Sequence, residues 1–199
     1  QMCIRAGATR KGMPDELAAQ LPITKQVLDA LGIVRCEKAG YEADDLLGTI
    51  SRRADEHGDT CVVVTGDRDS LQLVGGGTTV MLVSTRMGQT TYQTYDTAAF
   101  REKYGFDPIR LIDLKALMGD SSDNIPGVPG IGEKTAMQLL HDFGTLEGVY
   151  ANIDDERIKK GARTKLQNGE QSAKDSYWLA TIDRSVPLDL DVEHLPAQD

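Results

Sequence analysis

The sequence has 199 residues, 40% hydrophobic and 27% charged, which is typical of a soluble protein with one large domain or two small ones. No apolar run approaches the roughly 18 residues of a membrane span, the N-terminus lacks a signal-peptide pattern, and the cysteines are too few for a disulfide framework, so a cytoplasmic protein is predicted. The net charge of −9 is opposite to that expected of a nucleic-acid binder, unless the acidic residues are gathered around metal ions.

Helix and strand patterns alternate in the first half of the chain. The β-branched run at 60–65 is typical of a strand buried on both sides of a parallel sheet. The alternation predicts an α/β domain with a largely parallel sheet. The predicted elements are a helix at 14–31, a strand at 33–37, a helix at 42–57, a strand at 60–65, a short helix at 70–74, and strands at 78–84 and 90–95.

The second half contains helical patterns only. Asp96 is expected to cap a helix that ends at Tyr104, and no strand pattern is found from 100 to 180. Trp178 is predicted to anchor the core of this all-helical part. We therefore expect an α/β domain at 1–104 and a small all-α domain at 105–199. The further predicted helices begin at Asp107 and span 132–143, 145–150 and much of the remainder up to about Ala180.

Seven carboxylates occur in three groups, each at the end of a predicted element. Each group alone has an ordinary explanation: acids suit the first turn of a helix, they can cap a helix end, and Asp-x-Asp also occurs in phosphatases. Seven carboxylates brought together would repel one another unless divalent cations neutralised them. Two such ions can hold the attacking and leaving oxygens of a phosphodiester. The groups are Glu42, Asp44 and Asp45; Asp67 and Asp69; and Asp120 and Asp123.

A glycine-rich hairpin at 127–132 directly follows the third group. Val128 and Ile131 are suited to anchor it, while its three glycines allow the backbone to turn or to approach a ligand. An ordinary corner between two helices rarely needs three glycines in six residues. Backbone N–H groups at such a turn can bind phosphate without reading base sequence. The hairpin thus predicts structure-selective binding to DNA.

These motifs resemble the 5′-nuclease domains of the flap endonuclease family, in the form found in bacterial DNA polymerase I. The matching segments are GYEADD at 40–45, TGDRD at 65–69, LMGDSSDNIPGV at 117–128 and GEKTA at 132–136, and the likeness extends from about residue 8 onward. The resemblance implies a PIN-like α/β domain followed by a helix–hairpin–helix domain that grips duplex DNA. It also implies removal of 5′ flaps and nicked-strand nucleotides with two Mg²⁺ or Mn²⁺ ions, and a monovalent cation such as K⁺ at the hairpin carbonyls.

The resemblance assigns roles to individual residues of this chain. Arg10, Asp67 and Asp120 are expected to act in catalysis, Arg10 as a basic residue that contacts the scissile strand. The first metal is assigned to Glu42, Asp44 and Asp45, and the second to Asp67, Asp69, Asp120 and Asp123. The residues expected to bind DNA are Gly127, Val128, Gly130, Ile131, Gly132, Lys134 and Thr135.

The chain also departs from the family pattern near its N-terminus. Ala6 and Gly7 stand where the family has Tyr-Lys, and the strand that carries a further metal-binding Asp has no counterpart. We therefore expect an N-terminally truncated 5′-nuclease that binds flap, nicked or 5′-end duplex DNA but cleaves it poorly, with a polymerase domain linked to it in the full-length protein. The alternative is a non-catalytic DNA-binding module that uses only the hairpin domain.

Overall fold

A computed structural model describes residues 13–190 of the chain. Within this range a three-stranded sheet with flanking helices is followed by a set of helices alone. This arrangement confirms the predicted α/β class with a following all-α part. The α-helices are α1 (Asp15–Ala18), α2 (Leu21–Ala30), α3 (Ala43–His57), α4 (Thr97–Tyr104), α5 (Leu111–Met118), α6 (Glu133–Phe143), α7 (Leu146–Ala151), α8 (Lys160–Asn168) and α9 (Glu170–Ala180). The strands are β1 (Cys61–Thr65), β2 (Thr78–Arg86) and β3 (Gln89–Tyr95), and 3₁₀ turns lie at Asp69–Leu73 and Pro108–Arg110.

The sheet has the order β1-β2-β3. β1 runs parallel to β2, with Cys61 opposite Thr78, and β2 and β3 form an antiparallel hairpin. The prediction that β1 is buried on both sides is wrong for the described residues, because Val63 is buried while Val62 and Val64 are 57% and 58% exposed. α3 and the 3₁₀ turn after β1 lie against the sheet, and the described residues leave the face of Val62 and Val64 uncovered.

The segment before α3 differs from the sequence prediction in two ways. The single helix expected at 14–31 is two helices, since Pro22 in the first turn of α2 cannot continue a preceding helix. Residues 33–37 do not form the predicted strand. Arg35 instead pairs with Asp29 at 2.7 Å and holds this segment against α2.

The two largest buried hydrophobic clusters of residues 13–190 are the core of the sheet part and the core of the helical part. One core joins the sheet to α4 and contains buried Val63, Val80, Tyr95 and Phe100. The other fills the helical part, where Leu117, Val128 and Leu166 are among the buried residues. Phe106 and Leu111 contact both cores, so the helical part is packed against the sheet part.

α9 packs closely along α5 through small residues. Ala173, Ser176 and Ala180 are buried at this contact, and small side chains let two helices approach. Trp178 is 62% exposed, so the prediction that it anchors the core is wrong. It lies two residues from Ser176, which places it on a different face of the helix. Among residues 13–190 no helix combines the length and the apolar character that a membrane span requires.

Candidate metal centre and hairpin

Three carboxylates from two distant segments of the chain converge at one point. Asp69 begins the 3₁₀ turn that follows β1, while Asp120 and Asp123 lie in the loop after α5. One oxygen of each carboxylate lies within 4.8 Å of the others. Oxygen donors at this spacing fit a hard divalent cation such as Mg²⁺. Asp69, Asp120 and Asp123 are therefore the candidate ligand set.

The loop at 120–125 is held in a fixed shape by its own backbone. Asp120 and Ile125 exchange two backbone hydrogen bonds, each 2.8 Å long, and Asn124 adopts a left-handed conformation with φ of 59°. Asn tolerates this conformation better than most residues. The Asp120 carboxylate also accepts a 2.9 Å hydrogen bond from the Ser122 N–H, which orients it.

The environment of Asp69 opposes its ionisation. Burial raises the pKa of Asp69 to about 6, and the negative charges of Asp67 and Asp123 add to the effect, whereas Lys115 counteracts it. Burial also disfavours the charged form of Asp120, but hydrogen bonds from Lys115 and Ser122 outweigh this and lower its pKa. A cation bound here would stabilise both carboxylates in their ionised form.

Asp44 and Asp67 lie close to this ligand set. Ser70 donates a 3.0 Å hydrogen bond to Asp44 Oδ1. The pKa of Asp44 is raised by burial first and then by the charges of Asp67, Asp45 and Asp123. Asp67 accepts a 3.0 Å hydrogen bond from the Asp69 N–H, so the two acids after β1 are arranged by one tight turn. At least one member of each sequence group thus lies near the carboxyl end of β1, with Asp44 representing the first group.

Asp45 and Glu42 are engaged in the structure of the α3 N-terminus. Asp45 Oδ2 accepts the Glu42 N–H at 3.1 Å, and Asp45 Oδ1 accepts the Asp183 N–H at 2.9 Å. Asp45 therefore ties the helix start to the segment after α9. Glu42 is exposed at the N-cap. Neither residue is among the described groups whose oxygens are close enough to share one ion.

Lys115 is a central residue of the site that sequence reasoning missed. Its ammonium forms an ion pair with the Asp69 carboxylate, lies 2.7 Å from Asp120 Oδ2 and lies 3.7 Å from Asp123 Oδ2. Burial alone would lower the pKa of Lys115, but its pairing with Asp69 and Asp120 raises it, so the side chain stays charged. The available signal was the one base of a helix that is apolar apart from Asp113 and Lys115, five residues before Asp120.

The carboxylates line an open cleft of about 370 Å³. A larger cleft, about 520 Å³, lies around Phe106, but the arginines that line it are paired with Asp107 and Asp113. We regard the smaller cleft as the functional one because it contains the three clustered acids. Its lining residues are Gly66, Asp67, Arg68, Asp69, Asp120, Ser122 and Asp123.

The hairpin begins at Gly127, whose conformation the surrounding backbone requires. Its φ is 61°, and a Cβ at this position would lie 2.2 Å from the Gly119 nitrogen. Ser176 accepts the Gly127 N–H at 2.9 Å, and Ser172 donates to the Gly127 carbonyl at 2.6 Å. These two serines, also missed from the sequence, fix the hairpin to α9.

The remaining hairpin residues divide into anchors and an exposed edge. Val128 and Ile131 are 1% and 4% exposed, so their side chains anchor the hairpin in the helical core. The N–H groups of Gly130 and Gly132 have no acceptor within residues 13–190. Of the residues predicted to bind DNA, Gly130, Gly132, Lys134 and Thr135 are exposed, and Pro129 and Glu133 are exposed beside them. Arg10, predicted to contact the scissile strand, lies outside the described residues.

Two family models match the chain in succession. The model described as "5′-3′ exonuclease, N-terminal resolvase-like domain" matches residues 6–105. The model described as "5′-3′ exonuclease, C-terminal SAM fold" matches residues 106–199.

The chain is also similar to DNA polymerase I of several bacteria. It is 44% identical to that of Bacillus caldotenax over 189 residues, which are 95% of this chain and 21% of the relative. It is 46% identical to that of Mycobacterium leprae over 183 residues, 91% of this chain and 19% of the relative. The chain thus spans about a fifth of the length of these relatives.

Among solved structures, the fold resembles those of T5 5′-exonuclease and of the catalytic core of Rad2. T5 5′-exonuclease with bound zinc ions has a TM-score of 0.64 at 23% identity, covering 92% of this chain and 67% of that one. The catalytic core of Rad2 in complex with DNA substrate has a TM-score of 0.54 at 20% identity, with 92% and 61% covered. At these identities the likeness concerns the fold.

Proposed function

Because the chain belongs to the 5′-3′ exonuclease family, we propose that it is the 5′-nuclease part of a bacterial DNA polymerase I. Its substrate is DNA with a 5′ flap, a nick or a 5′ duplex end, and its reaction is phosphodiester hydrolysis. The convergence of Asp69, Asp120 and Asp123 beside an exposed glycine hairpin is the observation that supports this proposal best.

The metal ions are proposed to be Mg²⁺ or Mn²⁺. Asp69, Asp120 and Asp123 would hold one ion, with Asp67 at its edge. Asp44, whose pKa is raised in part by the charge of Asp67, would bind the neighbouring ion together with Glu42 and Asp45. When bound, such ions supply an activated water and stabilise the leaving oxygen.

The residues of the chain position the substrate relative to this centre. The loop at 120–125 carries two of the acids and continues directly into the hairpin, whose first residue is fixed to α9. Duplex bound at Gly130, Gly132, Lys134 and Thr135 would therefore be held at a fixed distance from Asp120. Arg10 is proposed to contact the scissile strand.

A monovalent cation such as K⁺ at the hairpin carbonyls also stays a proposal. Lys165 Nζ donates to the Gly130 carbonyl at 2.9 Å, so an ammonium already contacts one of these oxygens. A K⁺ ion would bind beside this contact or replace it.

A cleavage assay on a 5′-flap DNA with Mn²⁺ tests the proposed function. Weak cleavage at the flap junction that is lost in Asp120→Asn is the expected result. The matched control is Asp175→Asn, which removes an exposed carboxylate that only accepts a hydrogen bond from Gln171. Cleavage that persists unchanged in Asp120→Asn would overturn the assignment of the site.

A second candidate function is a DNA-binding module without cleavage. It is favoured by the Lys115 ammonium, which already pairs with the three acids and offsets part of their charge. The same cleavage assay discriminates the two, because a module of this kind would not cut flap DNA either before or after Asp120→Asn.

The wider setting of the chain is also proposed. The relatives named DNA polymerase I are about five times as long as the matched segment, which supports a linked polymerase domain in the full-length protein. The bacterial cytoplasm is the proposed location. We place the division between the two domains at residues 104 and 105, which is next to the meeting point of the two family models.

A further inference from the structure

The Lys115 ammonium lies at the point where the ligand set would hold a cation. It contacts all three members, by a direct bond to Asp69 and at 2.7 and 3.7 Å to Asp120 and Asp123. Its side chain is only 14% exposed, so the contacts are shielded from solvent. A cation is therefore already present at this centre, supplied by the chain itself.

The position of Lys115 on α5 makes this arrangement well defined. α5 ends at Met118, and the loop that carries Asp120 and Asp123 follows directly, so helix and loop geometry together set the distance from the ammonium to these two acids. The other bases near the site have different roles, since Arg68 is exposed at the cleft rim and Arg110 pairs with buried Asp113.

An ammonium and a divalent ion at the same three carboxylates compete for the same oxygens. Lysine carries a compact charge on a flexible four-carbon stem and can leave without movement of the backbone. Its departure would free the donors that a hard cation needs, and its return would relieve the repulsion among the acids when no ion is bound.

We propose that Lys115 is a positioning residue that acts as an internal counterion: it holds Asp69, Asp120 and Asp123 together without metal and must be displaced when a divalent ion binds. It thereby sets the affinity of the site for that ion. The inference rests on the proposed function only in taking these acids as metal ligands.

Direct binding of Mn²⁺ in the absence of DNA tests this inference. The measurement compares the wild-type chain with Lys115→Met by electron paramagnetic resonance of free Mn²⁺. Lys115→Met is expected to bind Mn²⁺ about tenfold more tightly, the factor that corresponds to loss of one competing charged hydrogen bond. Lys174→Met is the control, because it removes the same charge from an exposed pair with Glu170; it is expected to bind Mn²⁺ like the wild type.

Thermal unfolding provides a second readout that a purely structural lysine would not give. In chelator, Lys115→Met is expected to unfold at a lower temperature than the wild type, because the three acids then lack a counterion. Saturating Mn²⁺ should raise its melting temperature by more than that of the wild type, as tighter binding requires. If Lys115→Met does not fold, Lys115→Gln, which is also uncharged but keeps a hydrogen-bond donor, replaces it in both measurements.

The outcomes separate this inference from the proposed function. Equal or weaker Mn²⁺ binding by the Lys115 variants would overturn the counterion role, while loss of binding in Asp120→Asn would still uphold the metal site. Absence of Mn²⁺ binding in the wild type and in every Lys115 variant would overturn both.

Discussion

The glycines of the hairpin meet different physical requirements, although the sequence presents them as one motif. Gly127 has a positive φ and no room for a Cβ, whereas Gly132 has a φ of −98° and open space where its Cβ would be. Gly132 therefore serves no steric need of the fold itself. The open space at an exposed N–H group fits close approach of a phosphate.

Alanine substitutions should separate these two roles. Gly127→Ala is expected to destabilise the chain by at least about 2 kcal/mol, from a left-handed alanine and a clash with the backbone. Gly132→Ala should cost less than about 1 kcal/mol but should weaken binding of flap DNA. Urea unfolding and fluorescence anisotropy measure the two effects, and wild-type DNA affinity in Gly132→Ala would contradict the phosphate role.

Asp113 is a buried acid with a structural task away from the metal centre. Its side chain is 2% exposed, accepts the Leu146 N–H at 2.8 Å and pairs with Arg110 at 3.1 Å. Burial raises its pKa above the ordinary value of 3.8, despite these favourable contacts. Asp113 thus secures the start of α7 at an electrostatic cost.

The raised pKa makes the contribution of Asp113 to stability depend on pH. The pKa of Asp113 is higher in the folded chain than in the unfolded chain. Its contribution to the free energy of unfolding is therefore complete below pH 3.8 and is lost as the pH rises through the pKa of the folded chain. An asparagine at this position is uncharged at every pH, so Asp113→Asn does not lose stability as the pH rises. Its amide oxygen still accepts the Leu146 N–H. Its free energy of unfolding should therefore rise relative to the wild type between pH 4 and pH 7, and a difference independent of pH would contradict the assignment.

At the scale of elements, α9 acts as a support for the hairpin. Ser176 is fully buried and its hydroxyl accepts the Gly127 N–H, while Ser172 donates to the carbonyl of the same residue. The hairpin is thus held by a helix that follows it by some forty residues. This contact, together with the small buried residues of α9, explains why the helix lies so close to α5.

Removal of the Ser176 hydroxyl is expected to loosen the hairpin. Ser176→Ala leaves a buried N–H without an acceptor and should cost about 1–3 kcal/mol in the free energy of unfolding. Ser84→Ala, on the exposed part of β2, is the control and should be nearly neutral. Calorimetry or urea unfolding compares the two variants, and equal stabilities would refute the supporting role of α9.

For the molecule as a whole, the net negative charge opposes the proposed binding of DNA. The chain carries a net charge of −9 and is proposed to bind a polyanion. The acids at the metal centre contribute to this charge close to the place where DNA would lie. Divalent ions at that centre would offset much of the local negative charge, and the exposed Lys134 would act in the same direction.

DNA binding should therefore depend on divalent ions even without cleavage. The affinity for flap DNA is expected to be higher in Ca²⁺ than in chelator at equal ionic strength. In a variant with both Asp120→Asn and Asp123→Asn, this difference should shrink, because fewer charges remain to be neutralised. Anisotropy titrations measure it, and an undiminished effect of Ca²⁺ in the double variant would show that the ions act elsewhere.

The sequence by itself determined the α/β-then-helical order, most element positions and the three groups of acids, because these depend on local periodicity, capping and turn chemistry. It failed where the outcome depended on neighbours. The 33–37 segment has strand-like residues but folds back on α2, and Trp178 has a core-like side chain but faces solvent. Only the tertiary structure decided that Asp69 meets Asp120 and Asp123, that Lys115 reaches Asp69, and that α9 holds Gly127. The reason is physical: these contacts join residues far apart in the chain, and their distances follow from how helices and sheet pack, which no local pattern encodes.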